Sequence, residues 1–450
     1  MKSGPLFSFR LAAALAASAV LVGSALRGAP APQQPVPETL DLKTAVTFAV
    51  ENNFAIRQAR ERIKQQEGVV IEVKAREIPN VAATGLYQHN ADAISSSFPA
   101  SDRTWAIDIS ASQVLYAGGG VRSSVKSAQL AREAATFDLQ AVINDALLSV
   151  RVAFFDVLLA REKIKVQEQN LSLLQQELKT ATDRFDAGTV SGFEKLRAEV
   201  AVANAQVPLI TARNDYRLAI EQLRQALGFT TNTPENLRKI PEFVGTLDYQ
   251  PMNFDLQAAF DAAHNNRPDL QRLALLSSAQ EQLVTSAKSN YYPNVALVGG
   301  WQLRKGATNS FGDSNDGLYL GLQSQWNIFD GRATGGRVIQ ARSALEQARL
   351  ATTEAQLAAE VDVRSAYSSF QEANELADAS QKVVAQAEEA VRLATARYNA
   401  GTATQLDVLQ AQVDLTTART NQVQSYYTYN VAVARLRKAM GMADEFVVAK

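Results

Sequence analysis

Two acids in this sequence stand where a carboxylate can act on its neighbours. Asp407 follows Thr404 by three positions, and Glu194 follows Ser191 by the same spacing. Hydroxyl-x-x-acid is the capping-box pattern, in which both side chains satisfy free N–H groups at a helix start. Just before each pair lies a glycine, Gly401 or Gly188, suited to the left-handed conformation that ends a helix. The two stretches read Arg184-Phe185-Asp186-Ala187-Gly188-Thr189-Val190-Ser191 and Arg397-Tyr398-Asn399-Ala400-Gly401-Thr402-Ala403-Thr404. Each reads as a helix end, a tight turn and a new helix start.

Little else in the chain suggests chemistry. It has no cysteine, which excludes disulfides, thiolate metal sites, thiol nucleophiles and a lipid-modified cysteine. Its two histidines, His89 and His264, have no partners at metal-ligand spacing. No paired carboxylates or nucleophile–base set stands out. Gly118-Gly119-Gly120 lies between a strand pattern and a helix pattern, as a phosphate-binding turn would. It lacks the Lys-Ser/Thr ending of a P-loop, and Gly331-Arg332-Ala333-Thr334-Gly335 does not reproduce it, so these glycines read as a strand-to-helix turn. The expectation is a protein that is not an enzyme, with no cofactor and no metal. A formal net charge of −1 over 450 residues supplies no basic field for nucleic acid.

The elements that carry the two turns are repeated. The turn motifs lie about 213 residues apart, close to half the chain, which marks an internal duplication. Pro79-Asn80-Val81 answers Pro293-Asn294-Val295, Leu115-Tyr116-Ala117-Gly118 answers Ile328-Phe329-Asp330-Gly331, and Leu227-Gly228 answers Met440-Gly441. Ahead of the repeats, Lys2 and Arg10 precede an apolar run, Leu11 to Val22, followed by small residues Gly23-Ser24-Ala25. This has the form of a secretory signal. A membrane anchor is the alternative, but the run is shorter than the ~20 apolar residues a spanning helix needs.

Each repeat holds two strand-like segments. Trp105, Ile107, Ile109, Ala111 and Leu115 share one parity, against Asp108, Ser110 and Ser112. Leu318, Leu320, Leu322, Trp326 and Ile328 alternate with polar or small residues, and Val295, Leu297, Gly299, Trp301 and Leu303 share a face. Segments of about ten residues with one apolar side suit a barrel wall with lipid outside and water inside. A soluble two-faced sheet is the alternative, and it would need a cover for its apolar face. Four strands cannot close a barrel, since membrane barrels begin at about eight. Strands of several chains must then pool.

The helices are long. The proline-free runs 122–187 and 333–400 are about 66 residues each, or ~100 Å. The expected layout is a signal peptide over 1–25 and an extended tail over 26–38. Repeat 1 spans 39–228, with helix 39–77, strands 80–88 and 105–116, long helix 122–187 and return helix 191–227. An equatorial linker covers 229–254. Repeat 2 spans 255–441, with helix 255–289, strands 294–303 and 318–329, long helix 333–400 and return helix 404–440, before a tail over 442–450. The lengths suggest that return helix 191–227 continues, across the linker, into helix 255–289. Pro208 should kink the return helix.

The signal, the duplicated helix–strand–strand–helix–helix plan and the [Arg]-[Phe/Tyr]-x-Ala-Gly-Thr tips together resemble the TolC-type outer-membrane efflux channel family, over essentially the whole mature chain. The resemblance implies a mixed α+β fold, mostly α. Three chains would share a twelve-stranded β-barrel on a long α-helical coiled-coil tunnel in the periplasm. It implies a homotrimer in the outer membrane of a Gram-negative bacterium, in contact with outer-membrane lipid. Such a duct is the passive exit of a tripartite efflux pump or type I secretion system, docking tip-first with a periplasmic adaptor served by an inner-membrane pump. It places Asp407 at the channel entrance, with Gln410 where many members carry a second acid, and Tyr398 and Glu194 in the contacts that close the gate. The basic partner expected near Ala403 is missing. Gly188, Thr189, Gly401 and Thr402 fall at the adaptor-docking tip. The competing reading is a periplasmic coiled-coil adaptor or scaffold without a barrel. Asp407 and Glu194 could equally serve only as helix caps.

Overall fold

The structure, a computed structural model, describes residues 38–91, 103–229, 240–306 and 311–446. The expected signal peptide, the tail up to residue 37, the hairpin loops over 92–102 and 307–310, linker residues 230–239 and residues 447–450 lie outside the described residues. Thr39–Thr230 and Glu242–Lys450 form one compact unit. Of the other unit, Met1–Glu38 with Thr231–Pro241, only Glu38, Ile240 and Pro241 are described.

Repeat 1 runs β1 (Thr39–Leu40), α1 (Leu42–Asn52), α2 (Phe54–Lys74), β2 (Asn80–His89), β3 (Arg103–Ala117), α3 (Gly120–Asp186) and α4 (Gly192–Leu227). Then come β4 (Glu242–Phe243), α5 (Leu256–Asn266), α6 (Pro268–Lys288), β5 (Asn294–Lys305), β6 (Ser314–Gln325), α7 (Ala333–Asn399) and α8 (Gln405–Ala439). The two long helices have 67 residues each. α4 continues through Pro208 without interruption.

Three expectations need correction. First, the helices expected over 39–77 and 255–289 are each two helices. Asn53 breaks the first: its side-chain oxygen accepts from the N–H groups of Ala55 and Ile56, and its amide donates to the Ala226 carbonyl at 2.7 Å. Pro268 breaks the second, because it has no N–H to give and sits at the first position of α6.

Second, α4 does not continue into the helix after the linker. The turn after α4 meets the α1–α2 break, so α4 stacks on α2 within its own repeat. A Cβ built on Gly228 would lie 2.6 Å from the Asn52 carbonyl oxygen. The same joint recurs in repeat 2, where a Cβ on Gly441 would lie 2.8 Å from the Arg267 nitrogen. Both glycines have positive φ, 78° and 69°. Each repeat is thus one long helix beside two shorter ones stacked end to end.

Third, the strand expected over 318–329 runs from Ser314 to Gln325. In repeat 1 the matching end of β3 is held by β5, with Tyr116 opposite Val295. β6 lies at the sheet edge, so residues 326–329 have no strand among the described residues to pair with. A bulge between Val114 and Tyr116 also moves Leu115 out of register, and Tyr116 takes its place opposite Val295.

The sheet is antiparallel, in the order β2-β3-β5-β6. Its register aligns the apolar parity of every strand. Ala83 pairs with Ile109, Ile109 with Trp301 and Trp301 with Leu318; Val81 leads through Ala111 and Gly299 to Leu320. The result is one continuous apolar face, and it is open: Leu318, Leu320 and Leu322 are 86, 78 and 70% exposed. The opposite face carries Thr84, Asp108, Ser110, Gln302, Tyr319 and Gln323. Gly300 lies between Ser110 and Tyr319, and the Tyr319 hydroxyl reaches past it to donate to Asp108 at 3.1 Å. Among the described residues no helix is long and apolar enough to cross a membrane.

At the middle of α3, a core of Leu147, Val150, Phe154 and Leu158 packs against Val46 and Ala49 of α1 and Leu223 and Leu227 of α4. The described end of the linker straps across it. β1 and β4 pair in parallel, and Arg161 donates to the Phe243 carbonyl at 2.8 Å. Further on, Met252 N–H donates to the Tyr429 hydroxyl on α8 and the Tyr249 hydroxyl to Asn374 on α7, both at 3.1 Å. The C-terminal segment is tied down by Arg151, which donates to Asp444 at 2.8 and 2.9 Å with Phe446 under its guanidinium.

The glycine joints yield a graded test. Gly188→Ala, in open space at φ 73°, should cost about 1–2 kcal/mol of backbone strain. Gly228→Ala adds an overlap with the Asn52 carbonyl and should cost about 3 kcal/mol or more. Thermal loss of helical circular dichroism in mild detergent reads the difference. Equal midpoints for the two variants would contradict the joint.

Candidate functional site

The two tips are built alike. α3 ends at Asp186, Gly188 turns with φ 73°, and two backbone bonds close the turn: Thr189 N–H to the Arg184 carbonyl at 2.9 Å and Gly188 N–H to Phe185 at 2.8 Å. α7 ends the same way, with Thr402 N–H on Arg397 at 2.9 Å and Gly401 N–H on Tyr398 at 3.0 Å. This is the Schellman arrangement. Each threonine hydroxyl also donates to that arginine carbonyl, at 2.9 Å from Thr189 and 3.2 Å from Thr402. The threonine after the glycine therefore satisfies a carbonyl that the helix leaves open. Gly188, Thr189, Gly401 and Thr402 are all exposed, and a Cβ on either glycine would meet nothing within 4 Å.

The helix starts differ. Thr404 and Asp407 form a full capping box: Thr404 N–H and hydroxyl donate to Asp407 Oδ2 at 2.7 and 2.8 Å, and Asp407 N–H returns to the Thr404 hydroxyl. The bonds from Thr404, then the nearby Arg397 charge, hold the Asp407 carboxyl below the usual aspartate range. Ser191 caps nothing with its side chain, and Glu194 makes no side-chain hydrogen bond or ion pair among the described residues. The capping role expected of Glu194 is therefore absent. Threonine, branched at Cβ, has few rotamers to choose among; serine is freer, and Gly192 follows it at the first helical position.

Tyr398 and Glu194 are not joined by a hydrogen bond. Tyr398 instead lies under Arg184, whose guanidinium carbon is 4.6 Å from the ring centroid and whose NH2 donates to Asn399 Oδ1 at 3.1 Å. This clamp joins the end of α3 to the end of α7, and so one tip to the other. The sequence motif contains Arg184 and Asn399 but nothing in it says that they meet. Gln410 turns along α8 and donates to Asp414 Oδ1 at 3.0 Å. Asp414 is the second acid of this helix face, two turns from Asp407 and exposed like it.

Behind this face α8 packs on α3 and α7. Leu409 meets Leu174 of α3 and Ala205 of α4. Gln405 and Gln412 are buried here, and neither amide atom of Gln405, nor Gln412 Oε1, has a hydrogen-bond partner among the described residues. Farther along the seam the ties are polar. Thr416 donates to Asn170 at 2.9 Å, Arg419 bridges Gln169 and Glu388, and Ser380 shares a bond with Ser425. Burial, followed by a hydrogen bond to Asp156, pushes the Tyr427 hydroxyl far above its ordinary pKa.

The glycine-rich turn serves packing. The Gly118–Gly120 turn lies against the end of α6, where a Cβ on Gly120 would overlap the Ser289 hydroxyl. Among the described residues no group of histidines and carboxylates could hold a metal ion.

Known proteins share this plan. A sequence model of the outer membrane efflux protein family matches residues 46–229 and 259–442, one match per repeat. The outer membrane efflux protein BepC of Brucella suis biovar 1 is 26% identical over 433 residues, 95% of this chain and 90% of that protein. The outer membrane protein TolC of Escherichia coli K12 is 26% identical over 310 residues, 66% of this chain and 62% of that one. Among solved structures, the Campylobacter jejuni CmeC outer membrane channel matches with a TM-score of 0.76 at 16% identity, over 92% of this chain and 90% of that chain.

The Asp407 cap makes the start of α8 pH-dependent. A carboxyl with a lowered folded-state pKa stabilises above its unfolded pKa and loses that contribution as pH falls through the folded value. Hydrogen-exchange protection of the first-turn amides of α8, corrected for intrinsic exchange, should fall below about pH 4 in the native protein. In Asp407→Asn it should be lower at neutral pH and flat across that window. Thr404→Ala should cost about 1 kcal/mol at neutral pH.

Proposed function

The chain belongs to the outer membrane efflux protein family, and from that premise we propose that three copies pool their strands into one twelve-stranded barrel above a helical tunnel. The protein resides in the outer membrane of a Gram-negative bacterium, with its helices in the periplasm. We read it as a passive exit duct of a tripartite efflux or type I secretion machine, with no catalytic step of its own.

One observation carries this reading: among the described residues, a four-stranded sheet has a bare apolar face and unpaired edges, β2 and β6. In hydrocarbon an open edge leaves N–H and C=O groups unsatisfied at several kcal/mol each, so the edges must pair. With β6 of one copy against β2 of the next, three copies close a ring. Helix faces point the same way. Phe193, Leu196, Val200, Val207 and Ile210 form an exposed apolar stripe on α4, and Leu350, Leu357, Val361 and Val383 another on α7. These are natural seats for a neighbouring copy. A periplasmic scaffold would leave the sheet's apolar face without a purpose.

The periplasmic tips are the entrance. Asp407, Gln410 and Asp414 share an exposed face of α8, and in a trimer they would form polar rings about the axis. Rings of carboxylates favour cations. The buried amide of Gln405 and the Oε1 of Gln412, without hydrogen-bond partners among the described residues, make the seam behind them costly to keep closed, at about 1–3 kcal/mol for an unsatisfied group. That cost favours reversible opening. In this reading Tyr398 stays in the closing contacts, through Arg184, and Glu194 is left free for a neighbouring chain. Gly188, Thr189, Gly401 and Thr402 present bare backbone at the tips, where a periplasmic adaptor fed by an inner-membrane pump would dock. Substrate choice would rest largely with that pump.

Planar bilayer recording tests the reading. The purified protein should give discrete, cation-selective conductance steps. Asp407→Asn should reduce the selectivity, and adding Asp414→Asn should reduce it further. Loss of neither selectivity nor closure in the double variant would remove the carboxylate rings, and absence of any channel would remove the duct.

A further inference from the structure

Where the strands meet the helices, the wall has two sides. A cavity of about 800 Å3 marks the lumen side, because its lining includes Asn80, Ser112 and Asn294 of the sheet's polar face. Ser124 of α3 and Ser286 of α6 line it too, and they share a hydrogen bond at 2.9 Å. Arg122 and Lys126 stand two residues either side of Ser124, and Lys288 stands two beyond Ser286. Two residues are ~200° of helix, so these three leave from the opposite side, beneath the apolar face. Lys74 ends α2 as Lys288 ends α6, and the two match in the register of the repeats. All four are exposed, and none makes a side-chain hydrogen bond or ion pair among the described residues.

Charge is sorted by level here. In the stretches 74–79, 118–127, 286–293 and 329–338, seven residues are basic and two acidic, against 45 and 46 in the whole chain. Of the two acids, Asp330 is spent on the N–H and hydroxyl of Thr334, at 2.7 and 2.6 Å. Glu72 lies two residues from Lys74, hence on the lumen side, as its counterpart Ser286 does. On the other side of these helices the first acids come seven residues farther from the sheet. They are Glu67 for Lys74, Glu133 for Lys126 and Glu281 for Lys288. That spacing is two turns, or ~10 Å.

Aromatic side chains mark where a bilayer would end. Tyr116, Tyr292, Trp326 and Phe329 are exposed at the helix end of the sheet, and Tyr87 pairs with Trp105 at the other end. From Trp105 to Tyr116 is ~36 Å of strand, or ~25 Å of depth at a 45° tilt, the height of a barrel's apolar band. Tyrosine and tryptophan settle at the headgroups. On the reading of a membrane duct above, we propose that Lys74, Arg122, Lys126 and Lys288 form a collar that binds the phosphates of anionic phospholipids in the periplasm-facing leaflet. Their long stems carry the charge up toward the headgroups. The acids stand back by about one screening length, so they do not cancel the attraction. Repeat 1 holds three of the four members, since Gly335 and Ile339 take the places of Arg122 and Lys126 in repeat 2. Anionic lipid therefore gathers most densely against repeat 1 of each copy.

The chain's own fluorescence provides the test. It has three tryptophans, Trp105, Trp301 and Trp326. Trp326 donates to the Tyr291 carbonyl at 3.1 Å, three residues from Lys288, and so sits at the level of the collar. A Trp105→Phe/Trp301→Phe chain leaves it as the sole reporter. In phosphatidylcholine vesicles, brominated phosphatidylglycerol should quench it as if enriched about three- to tenfold over brominated phosphatidylcholine at the same mole fraction. High salt should shrink the enrichment. Adding Lys74→Gln, Arg122→Gln, Lys126→Gln and Lys288→Gln should abolish it. Arg76→Gln/Arg337→Gln should leave it unchanged, because Arg76 lines the lumen-side cavity and Arg337 matches Ser124 in the repeat register. Equal quenching by the two lipids, in a protein that conducts, would overturn the collar and leave the duct standing. Enrichment that ignores salt would also overturn the collar. Salt-sensitive enrichment in a protein that forms no channel would keep the collar and remove the duct.

Discussion

A strand edge in hydrocarbon is intolerable, because there is no water to satisfy its N–H and C=O groups. This constraint shapes the chain. The sheet ends in β2 on one side and β6 on the other, and its register lines up apolar side chains from Val81 to Leu320 across all four strands. Neither feature suits a single chain in a membrane, and closing the sheet with further copies, as proposed, would resolve both. The rest of the molecule meets the geometry that closure sets. In each repeat a helix about 100 Å long follows the strand pair, and two shorter helices stacked end to end run beside it.

Much of this plan was written in the sequence because it depends on local chemistry repeated twice. The tips could be read from Gly188 and Gly401, since a positive φ calls for glycine wherever the chain folds. Strand faces followed from alternation, as in Ile107 and Ile109 against Asp108 and Ser110. What escaped reading depends on residues that meet only in three dimensions. Asn53 breaks a helix because its amide finds the carbonyl of Ala226, far along the chain. α4 stacks on α2 because Gly228 fits against Asn52, and helix length alone pointed to the wrong partner. β6 stops short of residues 326–329 because it lies at the sheet edge, where no described strand of this chain runs beside them.

The candidate site shows the same division. Thr404 and Asp407 form their box as the local pattern requires, yet Ser191 and Glu194, with the same pattern, do not. Spacing permits a cap; rotamer freedom and the following residue decide whether it forms. Tyr398 was legible as a tip residue, but its partner Arg184 belongs to the other repeat. Gln410, where the resemblance implies a second acid, is a hydrogen-bond donor to Asp414 one helical turn along. A duplicated chain places equivalent residues in unequal surroundings, and the inequality is where the two tips divide their work.

The native mass of the particle, released from mild detergent, tests the central claim most directly. The account predicts an assembly of three chains that persists across detergents, with β2 and β6 paired between copies. A single chain that stays folded and monodisperse in every detergent would contradict it, since the bare apolar face and both sheet edges would then be stable without a partner.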